Sequence, residues 1–318
     1  MESLAVKVVR KVQEAEGIAS FELARVDGAP LPSFSAGSHI DVQVPGGLTR
    51  QYSLCNDAAE QHRYRIAVLR DSASRGGSAG MHTAVKEGDT LLISEPRNHF
   101  PLVHAQRTLL LAGGIGVTPL LSMAQRLQTM GADFALHYCT RSPERTAFRD
   151  EIVGSAYAGR VQFHFDDGDA AQKLQLRELL ARPDGGTHVY VCGPTGFIAW
   201  VVETAKDLGW PQEQVHLEYF GAAPQETAGD GSFQVKIASS GASYEVAAGQ
   251  TVVQALQAHG IEILTSCEQG VCGTCITRVL QGECEHRDLY FTDDEKAKHD
   301  QFTPCCSRAK SAVLVLDL

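Results

Sequence analysis

The amino-acid sequence predicts a multidomain protein with an antiparallel β-barrel, a doubly wound parallel α/β sheet and a smaller α+β domain. Three observations lead to this prediction. Apolar and polar residues alternate up to about residue 103, and from about residue 105 to 220 short apolar runs alternate with helix-length segments. A polar, glycine-containing stretch then precedes a hairpin pattern and a cysteine-rich loop. We place the three domains at residues 1–103, 104–224 and 232–318.

The composition is that of a globular protein with an acidic balance. The 318 residues include 28 Lys and Arg against 38 Asp and Glu, which gives a formal net charge of −10. Since this charge repels phosphate backbones, we expect no nucleic-acid partner. No apolar run approaches the roughly 20 residues of a membrane span, and the N-terminal segment lacks the apolar stretch of a signal peptide. The expected location is cytoplasmic, with no membrane partner.

The first domain reads as a small antiparallel barrel. Residues 19–23, 40–44 and 64–68 alternate apolar and polar side chains, which is typical of half-buried strands. One predicted strand carries Arg50, Gln51, Tyr52 and Ser53, and a glycine pair lies within the segment from Arg75 to Ser78. A fixed cation, hydroxyl donors and close backbone suit a flavin phosphate and ring edge, although each feature alone is also common on a polar surface.

The second domain has five apolar runs that suit strands buried on both faces: 109–112, 134–138, 161–165, 189–192 and 215–219. Candidate helices begin near Pro119, Ala147, Leu174 and Thr195. The alternation of runs and helices predicts a parallel, doubly wound sheet.

A glycine-rich turn follows the first of these runs and contains Gly113, Gly114 and Gly116 before Pro119. Glycines of this kind let backbone amides approach a pyrophosphate, although tight strand–helix turns also need them for geometry. The dinucleotide fingerprint is imperfect, because Pro119 replaces its third glycine and Thr140-Arg141 closes the second strand where an acid is usual. The fourth run ends in Cys192-Gly193-Pro194, which we expect at the same sheet edge as Gly114, with Cys192 near a nicotinamide ring.

The third domain contains the sequence Cys267-Glu-Gln-Gly-Val-Cys272-Gly-Thr-Cys275, followed by Cys305 and Cys306. This C-x4-C-x2-C…C spacing is the plant-type ligand pattern of a [2Fe–2S] cluster. Spacing alone permits either Cys305 or Cys306 as the fourth ligand. The predicted elements of this domain are a hairpin from residue 233 to 246, a helix from Thr251 to His259, and final strands near 276–280 and 313–316.

Zinc, inert thiols and a Rieske centre account less well for the cysteines. A structural zinc site usually pairs two Cys-x-x-Cys knuckles, and only Cys272 and Cys275 form one. Inert buried thiols remain an alternative. A Rieske centre is rejected, because Cys284-Glu285-His286 supplies one cysteine–histidine pair and no second pair follows.

These motifs, in this order, resemble the phthalate dioxygenase reductase family, which includes vanillate O-demethylase reductases. The resemblance covers essentially the whole chain and is especially close in the tail from Cys305 to Leu318. It implies an FMN-binding barrel, an NAD-binding domain and a plant-type ferredoxin domain with the β-grasp fold. The family has its fourth cluster ligand at the position of Cys305, which leaves Cys306 as a neighbour.

The resemblance also implies roles for individual residues. It assigns a flavin-binding role to the strand around Arg50, to Val68, Leu69 and Arg70 along the flavin, and to Gly76, Gly77, Ser78 and Ala79 at its phosphate. Thr118 is expected to approach the flavin from the nucleotide domain. Phe220 resembles the aromatic residue that covers the isoalloxazine, although it can equally pack a domain interface. The family suggests NADH, while Arg141 is compatible with the 2′-phosphate of NADPH.

The expected function is therefore electron transfer from NADH through FMN and a [2Fe–2S] cluster to a separate Rieske-type terminal oxygenase, a monooxygenase, dioxygenase or O-demethylase of aromatic catabolism. Two alternatives are a reductase that serves another acceptor and a ferredoxin-type carrier without flavin chemistry. A self-contained oxygenase is disfavoured, since neither Rieske pairs nor a 2-His-1-carboxylate candidate is evident.

Overall fold

The alternating N-terminal pattern forms a six-stranded antiparallel sheet in the computed structural model, which describes residues 3–71, 76–221 and 227–318. The strand order is β4-β3-β6-β1-β2-β5, and the outermost strands β4 and β5 approach each other. The elements are β1 Leu4–Ala15, β2 Ile18–Arg25, β3 His39–Val44, β4 Leu48–Ser53, β5 Tyr64–Leu69, α1 Gly77–Thr83 and β6 Thr90–Ile93.

Burial along these strands follows the period of two in the sequence. Phe21, Ile40 and Ile66 are fully buried in one core. The alternation breaks in β2 and β5, because Ile18 and Ala67 on the opposite face pack into the core of the following sheet. A strand covered on both faces needs apolar or small residues on both.

The second sheet is five-stranded and wholly parallel, as predicted, with the order β11-β10-β7-β8-β9. Its helices lie between successive strands. The elements are β7 Arg107–Gly113, α2 Val117–Thr129, β8 Asp133–Thr140, α3 Arg149–Val153, β9 Val161–Phe165, α4 Leu176–Leu179, β10 Thr187–Gly193, α5 Thr195–Asp207 and β11 Val215–Tyr219.

The helices predicted near Ala147 and Leu174 are much shorter than expected. The first, α3, has 5 residues and the second, α4, has 4 residues. Phe148 takes a left-handed conformation with φ 60° directly before α3, which prevents an earlier start of that helix. Pro183 follows α4 closely, and proline cannot continue a helix.

The C-terminal sheet is mixed, with the order β13-β12-β18-β14-β16. The strands that come first and last along the chain, β12 and β18, are parallel neighbours in this sheet, as the β-grasp prediction requires. Thr251 caps α6, because its side chain and that of Gln254 each bond to the backbone amide of the other residue. The elements are β12 Phe233–Ile237, β13 Ser243–Val246, α6 Val252–Gln257, β14 Thr277–Gln281, β15 Cys284–Glu285, α7 Asp293–Lys296, β16 Gln301–Phe302, β17 Arg308–Ala309 and β18 Val313–Leu316.

The chain divides into two compact units, Met1–Phe220 and Gly221–Leu318. The first unit holds both the antiparallel and the parallel sheet, and the second holds the cysteine-rich loop. The three domain boundaries stay predictions, and positions 222–226, where the second boundary falls, lie outside the described residues. Among the helices that the structure describes, none has both the length and the apolar character needed to cross a membrane.

Candidate functional site

The glycine-rich turn after β7 packs directly against the end of β10. Ala112 pairs with Cys192 across the parallel sheet. A Cβ at Gly116 would lie 2.3 Å from the carbonyl oxygen of Cys192, and one at Gly193 would lie 2.9 Å from the Cα of Gly113. Only glycine permits this approach. The two motifs therefore meet at the carboxyl edge of the sheet, where open α/β folds bind ligands.

Each of the two motifs leads into a helix. Gly114 has a positive φ of 54°, and the Thr118 hydroxyl, in the first turn of α2, donates to the Ile115 carbonyl at 3.1 Å. Pro194 caps α5. The hydroxyl of Thr118 is thus engaged locally and only 1% of the residue is exposed, so its approach to a flavin stays a prediction.

A carboxyl group outside the predicted motifs lies beside Cys192. Glu218 on β11 pairs with Cys192 on β10, and its Oε2 accepts a hydrogen bond from the Ser53 hydroxyl on β4 at 3.4 Å. This contact joins the antiparallel sheet to the parallel sheet within the first unit. Glu218 is the one acidic residue of the strand Val215–Tyr219, and this is the signal that identifies it in the sequence.

Burial sets the protonation of both groups. Desolvation, with a smaller contribution from the Glu218 charge, raises the pKa of the Cys192 thiol well above its usual value, so the thiol is neutral. Desolvation raises the pKa of Glu218 to about 8, against the opposing effect of the hydrogen bond from Ser53. The carboxyl can therefore hold a proton near neutral pH, which is a property of proton-handling groups at functional sites.

The remaining predicted nucleotide residues are less closely grouped. Thr140 is buried at the end of β8, with its hydroxyl 2.7 Å from that of Thr146. Arg141 is exposed beside it. Phe220 directly follows β11 and is 41% exposed, so its ring is accessible to a ligand in this unit. Their roles toward a cofactor stay predictions.

Arg50 lies against Gly77, the second residue of the glycine pair. A Cβ at Gly77 would lie 2.8 Å from both Cγ and Nε of Arg50. The Arg50 guanidinium also donates through Nη1 to the Thr49 carbonyl at 2.7 Å. The two segments, distant in sequence, therefore form one surface with a fixed cation. Arg75, predicted to adjoin the glycine pair, lies outside the described residues.

The other predicted flavin residues surround this surface. The Gln51 amide nitrogen is buried and has no hydrogen-bond partner among the described residues. Burial raises the pKa of the Tyr52 phenol. The Ser78 hydroxyl accepts from the Asp71 amide at 3.1 Å, Gly76 caps α1 with φ 102°, and the Ala79 carbonyl accepts from Thr83.

In the segment 68–70, which is predicted to lie along the flavin, a histidine side chain contacts one backbone carbonyl and two side chains are exposed. A ring nitrogen of His82 lies 2.8 Å from the Val68 carbonyl oxygen. Leu69 and Arg70 are exposed. Contact of these residues with a flavin stays a prediction.

The cysteine-rich loop winds through three left-handed residues. Glu268, Gly270 and Gly273 have φ values of 56°, 71° and 71°. A Cβ at Gly270 would lie 2.4 Å from the Sγ of Cys306, and one at Gly273 would lie 2.5 Å from the ring of Tyr290. The loop is thus wound so tightly that the two glycine positions accept glycine alone.

The winding brings four thiols together. Cys267 contacts Cys272 and Cys305 directly, and Cys275 also contacts Cys305. None of these four described cysteines is in a disulfide, and Cys272, Cys275 and Cys305 are at most 8% exposed. Hydrogen bonds from the neighbouring thiols and from the loop amides lower the pKa of Cys267 to about 2, while the same thiol contacts raise that of Cys305. The pocket therefore favours a thiolate at Cys267, the metal-binding form.

Cys305 and Cys306 face different partners. Cys305 contacts Cys267, Cys275 and its neighbour Cys306, whereas Cys306 contacts Cys305 and the hydroxyls of Thr303 at 3.2 Å and Ser307 at 3.8 Å. The Gln269 amide donates to the Cys267 sulfur at 3.4 Å. An amide donor to a sulfur ligand, as at Cys267, is typical of iron–sulfur sites.

Two further residues, to which no role is assigned from the sequence, hold the segment of Cys305 in place. Asp288, which is 3% exposed, accepts from the Ser307 hydroxyl at 3.2 Å. Arg308 donates to the carbonyls of Gln250 and Gly231 at 2.6 and 2.7 Å. No local pattern reveals these contacts, because their partners lie 19 to 77 positions away.

Two family models match the chain. Residues 235–310 match the 2Fe-2S iron-sulfur cluster binding domain, and residues 97–215 match the N-terminal domain of the dimethylamine monooxygenase subunit DmmA-like family. The first match includes all four converging cysteines, so the C-terminal unit is a [2Fe–2S] binding domain.

Relatives match the whole chain. A vanillate O-demethylase oxidoreductase from Pseudomonas sp. (strain HR199 / DSM 7063) is 56% identical over 96% of both chains. A phthalate dioxygenase reductase from Burkholderia cepacia is 43% identical over 99% of this chain and 97% of the relative.

Solved structures agree with these relatives. The structure of a phthalate dioxygenase reductase, described as modular for electron transfer from pyridine nucleotides to [2Fe–2S], superposes with a TM-score of 0.79 at 43% identity, over 99% of this chain and 98% of the other. An intact type IV self-sufficient cytochrome P450 monooxygenase gives a TM-score of 0.85 at 39% identity over 99% of this chain and 41% of that protein. The chain therefore belongs to the phthalate dioxygenase reductase family of iron–sulfur oxidoreductases, as the order of its motifs predicted.

Proposed function

We propose that this protein transfers electrons from NADH, through FMN and a [2Fe–2S] cluster, to a separate terminal oxygenase of the Rieske type. The observation that carries the proposal is the convergence of Cys267, Cys272, Cys275 and Cys305, in a chain whose other unit joins the glycine-rich turn to Cys192. When bound, FMN accepts a hydride and releases electrons singly, and the cluster carries them one at a time.

The C-terminal unit fits the cluster. Four sulfur atoms meet in one pocket, and the glycines at 270 and 273 leave no room for a Cβ. We assign Cys267, Cys272, Cys275 and Cys305 as ligands, while Cys306 is engaged by Thr303 and Ser307. Donors such as the Gln269 amide stabilise charge on the ligand sulfurs.

The first sheet fits a flavin phosphate and ring. Arg50 supplies a cation held against Gly77, and Gln51 supplies a buried amide without a partner among the described residues. An unpartnered buried donor is costly unless a ligand satisfies it. Arg50 is thus assigned to the phosphate, and Gln51, Tyr52 and Ser53 to the polar edge of the ring.

The edge of the parallel sheet fits a dinucleotide. Gly113, Gly114 and Gly116 form the turn that leads directly into α2, a helix of 13 residues whose N-terminal amides favour a phosphate. Cys192, as a buried neutral thiol, offers an uncharged contact to a nicotinamide ring. Glu218 carries its proton beside this position, linked through Ser53 to the strand that also holds Arg50.

The acceptor is the finer part of the proposal. Relatives of this chain are named as reductase subunits of a phthalate 4,5-dioxygenase and a carnitine monooxygenase, which favours a separate oxygenase. A cytochrome P450 is the second candidate, since the matched self-sufficient P450 contains a region that aligns with 99% of this chain.

Cofactor analysis and acceptor competition test the proposal. Purified protein is expected to contain FMN, iron and acid-labile sulfide in the ratio of one FMN to one cluster. With this protein present, NADH should then reduce a Rieske-type terminal oxygenase faster than it reduces an isolated P450. The EPR signal of the oxygenase cluster measures the first reaction. Protein without flavin contradicts the relay, and preferential reduction of the P450 contradicts the Rieske acceptor alone.

A further inference from the structure

A second group of metal-ligating side chains lies in the C-terminal unit, apart from the four cluster cysteines. One ligand atom from each of Cys284, His286 and His299 lies within 4.8 Å of the other two. Cys284 is fully buried, and the His286 side chain is 6% exposed. The three side chains thus meet in a part of the unit that is largely shielded from water.

The imidazole of His286 is oriented by a carboxylate at one ring nitrogen, and its other ring nitrogen has no hydrogen-bond partner among the described residues. Its Nδ1 lies 3.0 Å from Oδ1 of Asp288, while its Nε2 is buried with no hydrogen-bond partner among the described residues. Asp288 is itself held, since its Oδ2 accepts from the Phe291 amide at 2.9 Å. A histidine whose Nδ1 is held by a carboxylate presents Nε2 as a metal ligand in many zinc sites.

The other two residues are fixed by each other. The Cys284 amide donates to Nδ1 of His299 at 3.2 Å, and the Cys284 thiol points to the His299 carbonyl at 3.9 Å. His299 also holds a left-handed backbone with φ 53°, which is uncommon for a residue other than glycine. The strained turn thereby places an imidazole beside a buried thiol.

We propose that Cys284, His286 and His299 form a second metal site that binds a borderline-soft divalent cation of the zinc type. One thiolate and two imidazoles are three of the four ligands of a tetrahedral zinc site, and the fourth position is left for water. Bond lengths of about 2.0 to 2.3 Å require ligand atoms about 3.3 to 3.6 Å apart, so binding draws the three atoms together by no more than about 1.5 Å. The thiol proton of Cys284 is released to solvent as the metal–sulfur bond forms.

The site connects to the cluster loop through Asp288. The same carboxylate that holds His286 accepts from the Ser307 hydroxyl, two positions after Cys305. A Cβ at Gly270 in the cysteine loop would lie 3.0 Å from the Asp288 Cα. A cation bound at the second site would therefore stabilise the segment against which the cluster loop packs.

Zinc binding to the full-length, cluster-loaded and flavin-loaded protein tests the proposal. The protein is dialysed against a mild chelator, its iron content is checked, and zinc chloride is titrated with a competing chromophoric chelator. Zinc per chain is then measured by plasma mass spectrometry after gel filtration, and the ligands are read from zinc K-edge X-ray absorption. The variants are Cys284→Ser and His299→Asn, because asparagine tolerates the left-handed backbone at 299. The control is His259→Asn, since His259 is an exposed histidine of the same unit whose ring is tilted against that of Tyr244.

We expect one tightly bound zinc per chain with one sulfur and two nitrogen ligands and no loss of iron. Either ligand variant should weaken binding by about 100-fold or more, and the control should not change it. The proposal is overturned if cluster-loaded protein binds zinc no better than His299→Asn. It is equally overturned if zinc binds only as iron is lost. A zinc absorption spectrum without a sulfur ligand would also overturn it, and the hydrogen-bond partner of the buried His286 Nε2 would then be a water molecule.

Discussion

The Ser53 hydroxyl lies 3.4 Å from Oε2 of Glu218, 165 positions later in the chain. This hydrogen bond links β4, which carries the proposed flavin residues, to β11, the strand beside Cys192. Neither residue suggests the contact from its local sequence. It places a proton-holding carboxyl between the two proposed cofactor regions of the first unit.

Replacement of Glu218 by glutamine should change how stability depends on pH. Because the pKa of Glu218 is raised to about 8, the folded protein holds this proton more tightly than the unfolded chain, whose glutamate titrates near 4.3. Wild-type stability should therefore fall as pH rises from about 5 to about 8 and level off above it. Thermal unfolding of Glu218→Gln should lack this component, which we expect to be about 1–2 kcal/mol because the side chain keeps some contact with water. Parallel curves for the two proteins would contradict a raised pKa.

Cys272→Ser should remove the cluster and leave the flavin chemistry. Cys272 belongs to the second compact unit, whereas the proposed flavin and nucleotide residues belong to the first. The visible iron–sulfur absorption should be lost while anaerobic reduction of FMN by NADH keeps its rate within about twofold. Cys139→Ser, a free thiol of the first unit, is the control and should retain both signals. Loss of flavin reduction in Cys272→Ser would contradict the modular arrangement.

Cys305→Ser and Cys306→Ser form a matched pair. Cys305 contacts the loop thiols Cys267 and Cys275, whereas Cys306 contacts only Cys305 among these thiols and is otherwise engaged by the Thr303 and Ser307 hydroxyls. Iron and labile sulfide should fall to background in Cys305→Ser and stay at wild-type levels in Cys306→Ser, with a shift of reduction potential as the main effect of the latter. The reverse result would exchange the ligand assignment.

Arg50→Ala should weaken FMN binding before it affects the cluster. A charge-assisted hydrogen bond to phosphate contributes about 1.5–3 kcal/mol, so FMN affinity should fall by roughly 10- to 100-fold. Gel filtration at low protein concentration, followed by fluorescence of released flavin, measures this loss. Arg126→Ala, an exposed arginine on α2, should retain FMN. Equal FMN content in both variants would remove Arg50 from the site.

Gly116→Ala should destabilise the first unit and disturb the nucleotide edge. The new Cβ would lie 2.3 Å from the Cys192 carbonyl oxygen, a backbone atom that cannot rotate away. Overpacking of this kind costs about 1–3 kcal/mol, and NADH binding should weaken in the same variant. Gly159→Ala, which meets no atom within 4 Å, is the control for urea unfolding and NADH titration. Unchanged NADH affinity in Gly116→Ala would show that the turn does not contact the dinucleotide.

Most of the fold follows from local patterns in the sequence. The period of two in β2, β3 and β5, the apolar runs of the parallel sheet and the Thr251 cap all depend on neighbours within a few residues. The helices α3 and α4 are shorter than their patterns predict, because a left-handed Phe148 and the nearby Pro183 limit them. The positions of the domain boundaries stay predictions.

The site divides in the same way. The glycine-rich turn, the cysteine spacing and the family can be identified from the amino-acid order, since a short loop that must approach a ligand closely carries its glycines and thiols in a row. The family resemblance also points to Cys305 as the fourth cluster ligand. The folded chain was needed to find that Glu218 meets Ser53, and that Cys284 and His286 meet His299. Those contacts join residues up to 165 positions apart, so they depend on how strands pair and pack and leave no local pattern.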